Sequence, residues 1–271
     1  MKRGLVVFSP IQVATLRISL AGVSFLPFFL WRLRDIDWSK LKYFITISLC
    51  GSGIPALLFP LAQRHLNSSV TGVLNSLTPL FTLIWGIVIF RAPMFGRTIV
   101  GVVIGLAGAA VLILSGKNGG GSADGNSWYG LLVVLACALY GIGVNTTHTY
   151  LKTVPSSLLT SINFVLIGLP AIFILFSTDF LEKMQQAEGA STAFSYILLL
   201  SMVGTVAASL LYFRLIQQTN GLFASTVAYL MPITAVVLGM WDGEQITVFH
   251  LLGMFLILIG VYITNLKTAR A

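Results

Sequence analysis

Nine long apolar runs, separated by short polar breaks, constrain this chain more than any other feature. They lie at about 11–31, 41–62, 69–90, 98–115, 128–150, 156–177, 194–216, 222–241 and 247–266. A helix needs about 20 apolar residues to cross a bilayer, and only helices and closed barrels satisfy the backbone inside lipid. Barrel strands alternate in polarity over about ten residues, whereas these runs are continuous. The expected fold is all-α and integral to the membrane. Composition agrees: 56% of the residues are hydrophobic and 9% charged, against about 25% charged in a soluble domain. No break is long enough to hold a soluble domain.

The net charge of +8 would suggest nucleic acid in a soluble protein. Here the cations sit in the breaks, where membrane topology places them, so the lipid bilayer is the expected partner and nucleic acid is not. Loops 32–42, 91–97 and 151–155, the Arg214 region and the C-terminal tail carry ten Lys and Arg residues. The alternate loops carry three, Arg64, Lys117 and Lys183. Positive loops stay cytoplasmic, which predicts a multi-pass protein of the inner or plasma membrane with its C-terminus in the cytoplasm. Cys50 and Cys137 fall inside apolar runs without ligand spacing and read as small fillers. No metal site or cofactor is expected. Neither HExxH nor GxxxxGK[ST] occurs, and His, Asp and Glu do not cluster, so an enzyme is not expected.

The chain also repeats itself. Shifted by 153 residues, "GSGIPALLF" (51–59) lies on "GTVAASLLY" (204–212), and "LNSLTPL" (74–80) lies on "VAYLMPI" (227–233). Pro79 then meets Pro232, Asn67 meets Asn220, and Gly86 meets Gly239; with a one-residue slip Gly101 meets Gly253 and Gly108 meets Gly260. Run 69–90 ends at basic Arg91, but its counterpart 222–241 ends at acidic Asp242 and Glu244. The copies should therefore point in opposite directions, as in the inverted repeats of secondary transporters. The first repeat spans 1–115, a Gly-rich outward-facing linker 116–127, and the second repeat 128–271. Pro155 opens a run preceded by a full span, whereas the matching Pro10 follows only nine residues. The expectation is two inverted repeats of five helices, ten in the intact fold. On that expectation the first helix is truncated here to residues 1–9, leaving about nine full spans.

The stretches "NSSVTGVLNSLTPLFTLIWGIVIFRAPMFGRTIVGVVIGLAGAAVLIL" (67–114) and "NGLFASTVAYLMPITAVVLGMWDGEQITVFHLLGMFLILIGVYIT" (220–264) resemble the EamA family of the drug/metabolite transporter superfamily. In that family each half carries a small-residue helix with a central proline, a loop often containing Gly-Glu, and a Gly-rich helix. Gly243-Glu244 keeps the Gly-Glu pair, and Phe90-Arg91 departs from it. The resemblance implies ten helices, both termini cytoplasmic, a central cavity between the halves, and often export.

Substrate sites in inverted-repeat carriers lie near the bilayer midplane, where helices are interrupted. Proline removes a backbone donor and frees a carbonyl, so Pro79 and Pro232 mark the expected cavity. Asn75 lies four residues before Pro79 on the same helical face, Ser76 and Thr78 flank it, and Tyr229 lies three before Pro232. These polars either line a cavity or tie a kinked helix to its own backbone. Arg17 lies about 10 Å into its span at 1.5 Å per residue. It either pairs with a substrate carboxylate or snorkels to the headgroups. Tyr140, Asn145 and His148 make "YGIGVNTTHTY" (140–150) polar for a span, and Asn163 and Gln63 are weaker candidates. Gly101 with Gly105, and Gly204 with Ala208, read as close-packing positions.

No Asp or Glu lies within a span, which argues against a buried carboxylate relay for protons; either coupling runs through His148 or the substrate, or transport is uncoupled, the reading this absence favours. With Arg17 as the one intramembrane cation, a zwitterionic or weakly polar metabolite fits better than a polyanion. The expected function is a permease, acting as exporter of small metabolites such as amino acids by alternating access, as a monomer or homodimer. The alternative is a truncated, non-transporting membrane protein or scaffold.

Overall fold

A computed structural model describes residues 2–91, 96–115, 127–219, 230–241, 243, 244 and 247–265. The linker 116–126 and Tyr229 lie outside the described residues. Among the described residues regular structure is helical throughout, with no strand. The helices are α1 (Lys2–Leu5), α2 (Pro10–Trp31), α3 (Leu41–Ser48), α4 (Ile54–Gln63), α5 (Ser68–Asn75), α6 (Thr78–Val88), α7 (Gly96–Ser115) and α8 (Gly130–Tyr150). They continue with α9 (Ser156–Phe176), α10 (Phe180–Gln186), α11 (Ala190–Ser201), α12 (Ala208–Gln218), α13 (Leu230–Trp241) and α14 (Val248–Asn265). Seven segments are long and apolar enough to span a bilayer, and Met231–Trp241 and Val248–Thr264 are shorter apolar helices. Together they account, among the described residues, for the nine expected runs.

Local chemistry sets the ends. Ser9 and Gln12 form a reciprocal capping box at the start of α2, with Pro10 in its first turn; each side chain supplies a partner to the other's backbone N–H. Pro155 precedes the first residue of α9, where its missing N–H removes no helical bond.

Two expected spans contain a feature the hydropathy pattern does not show. Between α3 and α4 the backbone opens into a π-helical turn at Leu49–Gly53, and between α11 and α12 it does so again at Met202–Ala207. The starts of these turns are 153 residues apart, which is the repeat register. A π turn carries one extra residue and re-aims the side chains that follow.

Two compact units cut across the sequence repeats. One comprises Met1–Arg64 and Ile142–Ala224, the other His65–Gly141 and Ser225–Ala271; the division falls inside α8.

In the first unit α2 packs antiparallel on α9. A Cβ on Gly22 would lie 2.9 Å from the Phe164 carbonyl oxygen and 3.0 Å from the Gly168 Cα, so the helices meet backbone to backbone. Phe25 stacks on Phe164 beside this contact, with ring centroids 5.8 Å apart. Gly22 and Gly168 are 146 residues apart, a one-residue slip from the 145 that separates Pro10 from Pro155, and with that slip they are repeat equivalents. Equivalent residues that touch each other lie on a local two-fold.

In the second unit α7 and α14 cross the same way. Gly101 meets Gly260, and Gly108 meets Gly253 with its would-be Cβ 2.8 Å from the Gly253 carbonyl oxygen. Since 101 is equivalent to 253 and 108 to 260, these contacts are reciprocal, which is again the signature of a two-fold. Gly105 sits against Leu80, so the Gly101–Gly105 pair packs as expected. Gly204 and Ala208 instead lie exposed; the π turn at Met202–Ala207 changes the register that spacing alone would give them. Phe173, Leu199 and Phe255 are also exposed, as suits helices solvated by lipid.

Candidate functional site

The expected single span at 69–90 is two helices. α5 stops at Asn75 and α6 starts at Thr78. Across the break the backbone tightens: the Ser76 N–H donates to the Val73 carbonyl at 3.1 Å, and the Leu77 N–H to Leu74 at 3.0 Å. Pro79 has no N–H to offer the Asn75 carbonyl four residues back. The Thr78 hydroxyl donates to that oxygen instead, at 2.8 Å. Ser76 donates its hydroxyl to the Val73 carbonyl. Both side chains are buried, Ser76 completely. An unpaired backbone group in lipid costs several kcal/mol, so Ser76 and Thr78 make this break tolerable.

Asn75 behaves differently. Its side chain is half-buried, and its Nδ2 donates to the Met231 sulfur at 2.6 Å. The break in one repeat thus meets the proline helix of the other: Met231 precedes Pro232, and Pro79 and Pro232 are both buried. Cys137 of α8 is fully buried, with its thiol 3.5 Å from the Leu74 carbonyl and 3.7 Å from the Asn75 side-chain oxygen. The cysteine fills space, as expected, and also donates into the break.

Glu244 fixes the far end of α5. Its carboxylate accepts from the Ser68 N–H at 2.8 Å, the Ser69 N–H at 3.0 Å and the Ser69 hydroxyl at 2.7 Å. These are otherwise orphan donors of a helix N-terminus, and the helix dipole favours negative charge there. Gly239 makes the approach possible, because a Cβ on it would lie 2.6 Å from the Glu244 Oε2. Gly243 has φ 78°, and Arg91, at φ 55°, is the left-handed non-glycine residue among the described residues. Backbone conformation therefore pairs Arg91 with Gly243, at the same 152-residue shift as Gly101 and Gly253. The sequence pairing of Phe90-Arg91 with Gly243-Glu244 moves by one residue, and Glu244 falls opposite position 92, outside the described residues.

Tyr140 is half-buried and belongs, with Asn75, Ser76, Thr78, Pro79 and Pro232, to the unit formed by residues 65–141 and 225–271. Arg17, Asn145 and His148 belong to the other unit, and all three are half-buried. The Arg17 backbone carbonyl accepts from the Ser201 hydroxyl at 2.8 Å. His148 sits in the last turn of α8, near Lys152 and the Thr219 backbone.

A second polar cluster escaped the sequence reading. Gln12, fully buried at the start of α2, donates to the Thr178 hydroxyl at 3.1 Å and the Asp179 carboxylate at 2.8 Å. Lys183 pairs with Asp179 at 3.0 Å. The Lys183 hydrogen bond holds the Asp179 carboxyl below its ordinary value. The cluster ties the start of α2 to the end of α9, residues about 166 apart in sequence, and only the Ser9–Gln12 spacing signals part of it.

These helices and their interrupted pair define a multi-pass helical membrane protein of the transporter class. The EamA-like transporter family matches residues 1–114 and 127–266, and the chain belongs to that family. It is 26% identical over 263 residues to YedA of Escherichia coli K12, named as an uncharacterized inner membrane transporter, covering 95% of this chain and 82% of YedA. It is 26% identical over 275 residues to the uncharacterized transporter YoaV of Bacillus subtilis, covering 100% of this chain and 92% of YoaV. An uncharacterized transporter of Archaeoglobus fulgidus is 21% identical over 260 residues, covering 96% and 90%. A solved crystal structure matches with a TM-score of 0.63 at 16% identity, over 95% of this chain and 88% of that one, which shows a shared fold.

Proposed function

We propose that this membrane transporter is a secondary carrier for a small zwitterionic or weakly polar metabolite, of which an amino acid is the first class to test. It works by alternating access of its inverted repeats, in the export direction, with its C-terminus in the cytoplasm. One observation carries the reading. At the proline break the buried hydroxyls of Ser76 and Thr78 close the break's own backbone, while the Asn75 amide stays half-buried beside Met231. A carboxamide donates and accepts at once, so it suits a substrate that bears both kinds of group.

Asn75, Pro79 and Pro232 form the core of the proposed site; Tyr229, Arg17, Tyr140, Asn145 and His148 are further substrate-contact candidates from the sequence, each to be tested by substitution. Ser76 and Thr78 take the role of shaping the wall. The full-length chain in proteoliposomes should show saturable flux and counterflow for one member of an amino-acid and metabolite panel. Flux that neither saturates nor exchanges across that panel removes the carrier reading.

A further inference from the structure

The π turn at Leu49–Gly53 faces α9, and the contact holds two buried polar atoms without partners. Asn163 is fully buried, and its Nδ2 donates to the Ser52 hydroxyl at 2.9 Å. Its side-chain oxygen has no partner, and neither has the hydroxyl of Ser48, which is 1% exposed. Ser48 lies one turn before Ser52. Its neighbours Phe44 and Ile47 pack in one cluster with Leu159 and Ile162 of α9, so Ser48 and Asn163 belong to the same seam. The two ends of a carboxamide are interchangeable in placement, and turning Asn163 over leaves one end open all the same.

The repeat shows what a closed version of this contact looks like. Ser201 is the equivalent of Ser48 at a shift of 153. Arg17 is the equivalent of Asn163 at 146, the register in which Gly22 matches Gly168. In that copy the Ser201 hydroxyl donates directly to the Arg17 carbonyl at 2.8 Å. In the Ser48 copy the serine hydroxyl makes no such bond, and asparagine stands where the other copy has arginine.

We propose that Asn163, Ser48 and Ser52 hold one buried water molecule at the π turn between α3 and α4. A buried water needs two to four polar partners; the Asn163 amide and the two hydroxyls supply three. The open groups are neutral, and Phe44, Ile47 and Ile162, beside them along their helices, belong to one apolar cluster. The occupant is therefore a small neutral molecule that both donates and accepts. The water replaces, in one repeat, the direct serine-to-backbone bond of the other.

Thermal unfolding of the purified full-length chain in detergent, without added substrate, tests this. Ser48→Ala should lower Tm by about 2–4 °C, Ser48→Thr should hold it, and the Ser48→Ala Asn163→Leu pair should lose no more than the larger single change, because both lose the same guest. An empty contact predicts the opposite sign: removing an unpaired buried hydroxyl would leave Tm unchanged or raise it, and either result overturns the proposal. Losses that simply add would overturn it too. If Asn163→Leu does not fold, the Ser48→Ala and Ser48→Thr comparison decides alone. A Ser48→Ala loss that appears only with an amino-acid panel present would place a substrate group there and also overturn the water.

Discussion

Two contacts of the same inverted repeat, both inside the unit formed by residues 65–141 and 225–271, are built in opposite ways. The α7–α14 seam is close-packed and symmetric at its glycines: glycine meets glycine at Gly101–Gly260 and Gly108–Gly253. The crossing of α5 and α13 is polar and asymmetric. Asn75 reaches Met231, yet position 228, the repeat equivalent of Asn75, is alanine, and Thr78 corresponds to Met231. A duplicated fold needs like residues only where the copies must pack alike. Where the copies diverge and side-chain hydrogen bonds replace backbone ones, the chain is free to specialise. The seam is scaffold, and the crossing holds the residues of the proposed site.

The comparison breaks most severely at the seam. Gly108→Leu drives a side chain into the Gly253 carbonyl and the Ile257 N–H, neither of which can step aside, and should cost about 3 kcal/mol or more. Loss of a monodisperse peak in size-exclusion chromatography would show it; a well-behaved variant would mean that the seam is loose. Next comes Glu244→Ala, which strands the donors of Ser68 and Ser69 and should destabilise by about 2 kcal/mol, read as a lower Tm. Glu244→Gln, which keeps an acceptor oxygen, should recover part of it.

Smaller again is Thr78→Val. It leaves the proline-freed Asn75 carbonyl without its hydroxyl partner, for about 1 kcal/mol. Smallest is the effect at Asp179, whose exposed carboxylate lies outside the spans. Its carboxyl is held below the ordinary 3.8 chiefly by the Lys183 hydrogen bond. A depressed carboxylate stabilises fully above its unfolded value and loses that contribution as pH falls through the lower folded one. The Tm gap between the native chain and Asp179→Asn should be constant from about pH 5 to 8, above the unfolded carboxylate value, and should close only below that value.

Much of this architecture is legible in the sequence because membranes make strong demands. Run length, Pro79 and Pro232, and the glycines of α7 and α14 state the spans, the break and the seam directly. The clasp of Glu244 on Ser69 is not legible: it joins residues 175 apart, and its glycine enabler, Gly239, looks like any small residue in a span. The π turns are hidden for another reason. An i→i+5 bond is a choice of backbone register that "LCGSG" permits without requiring, and that choice decides whether Ser52 reaches Asn163 or the lipid. At the break, the sequence names the polar residues but not their tasks. Ser76, Thr78 and Asn75 look interchangeable until the hydroxyls are seen bonded to the backbone and the amide is seen half-buried.

That division of labour is the central claim, and one experiment tests it directly: counterflow in proteoliposomes for Asn75→Leu beside Thr78→Val, each with its Tm measured. Asn75→Leu should cut exchange at least tenfold, a loss equivalent to about 1.4 kcal/mol, with Tm held within about 1 °C, a shift below the 1 kcal/mol level. Thr78→Val should lower Tm and leave exchange within about twofold, under 0.5 kcal/mol. Unchanged exchange in Asn75→Leu, or a Tm loss that accounts for its defect, would contradict the claim.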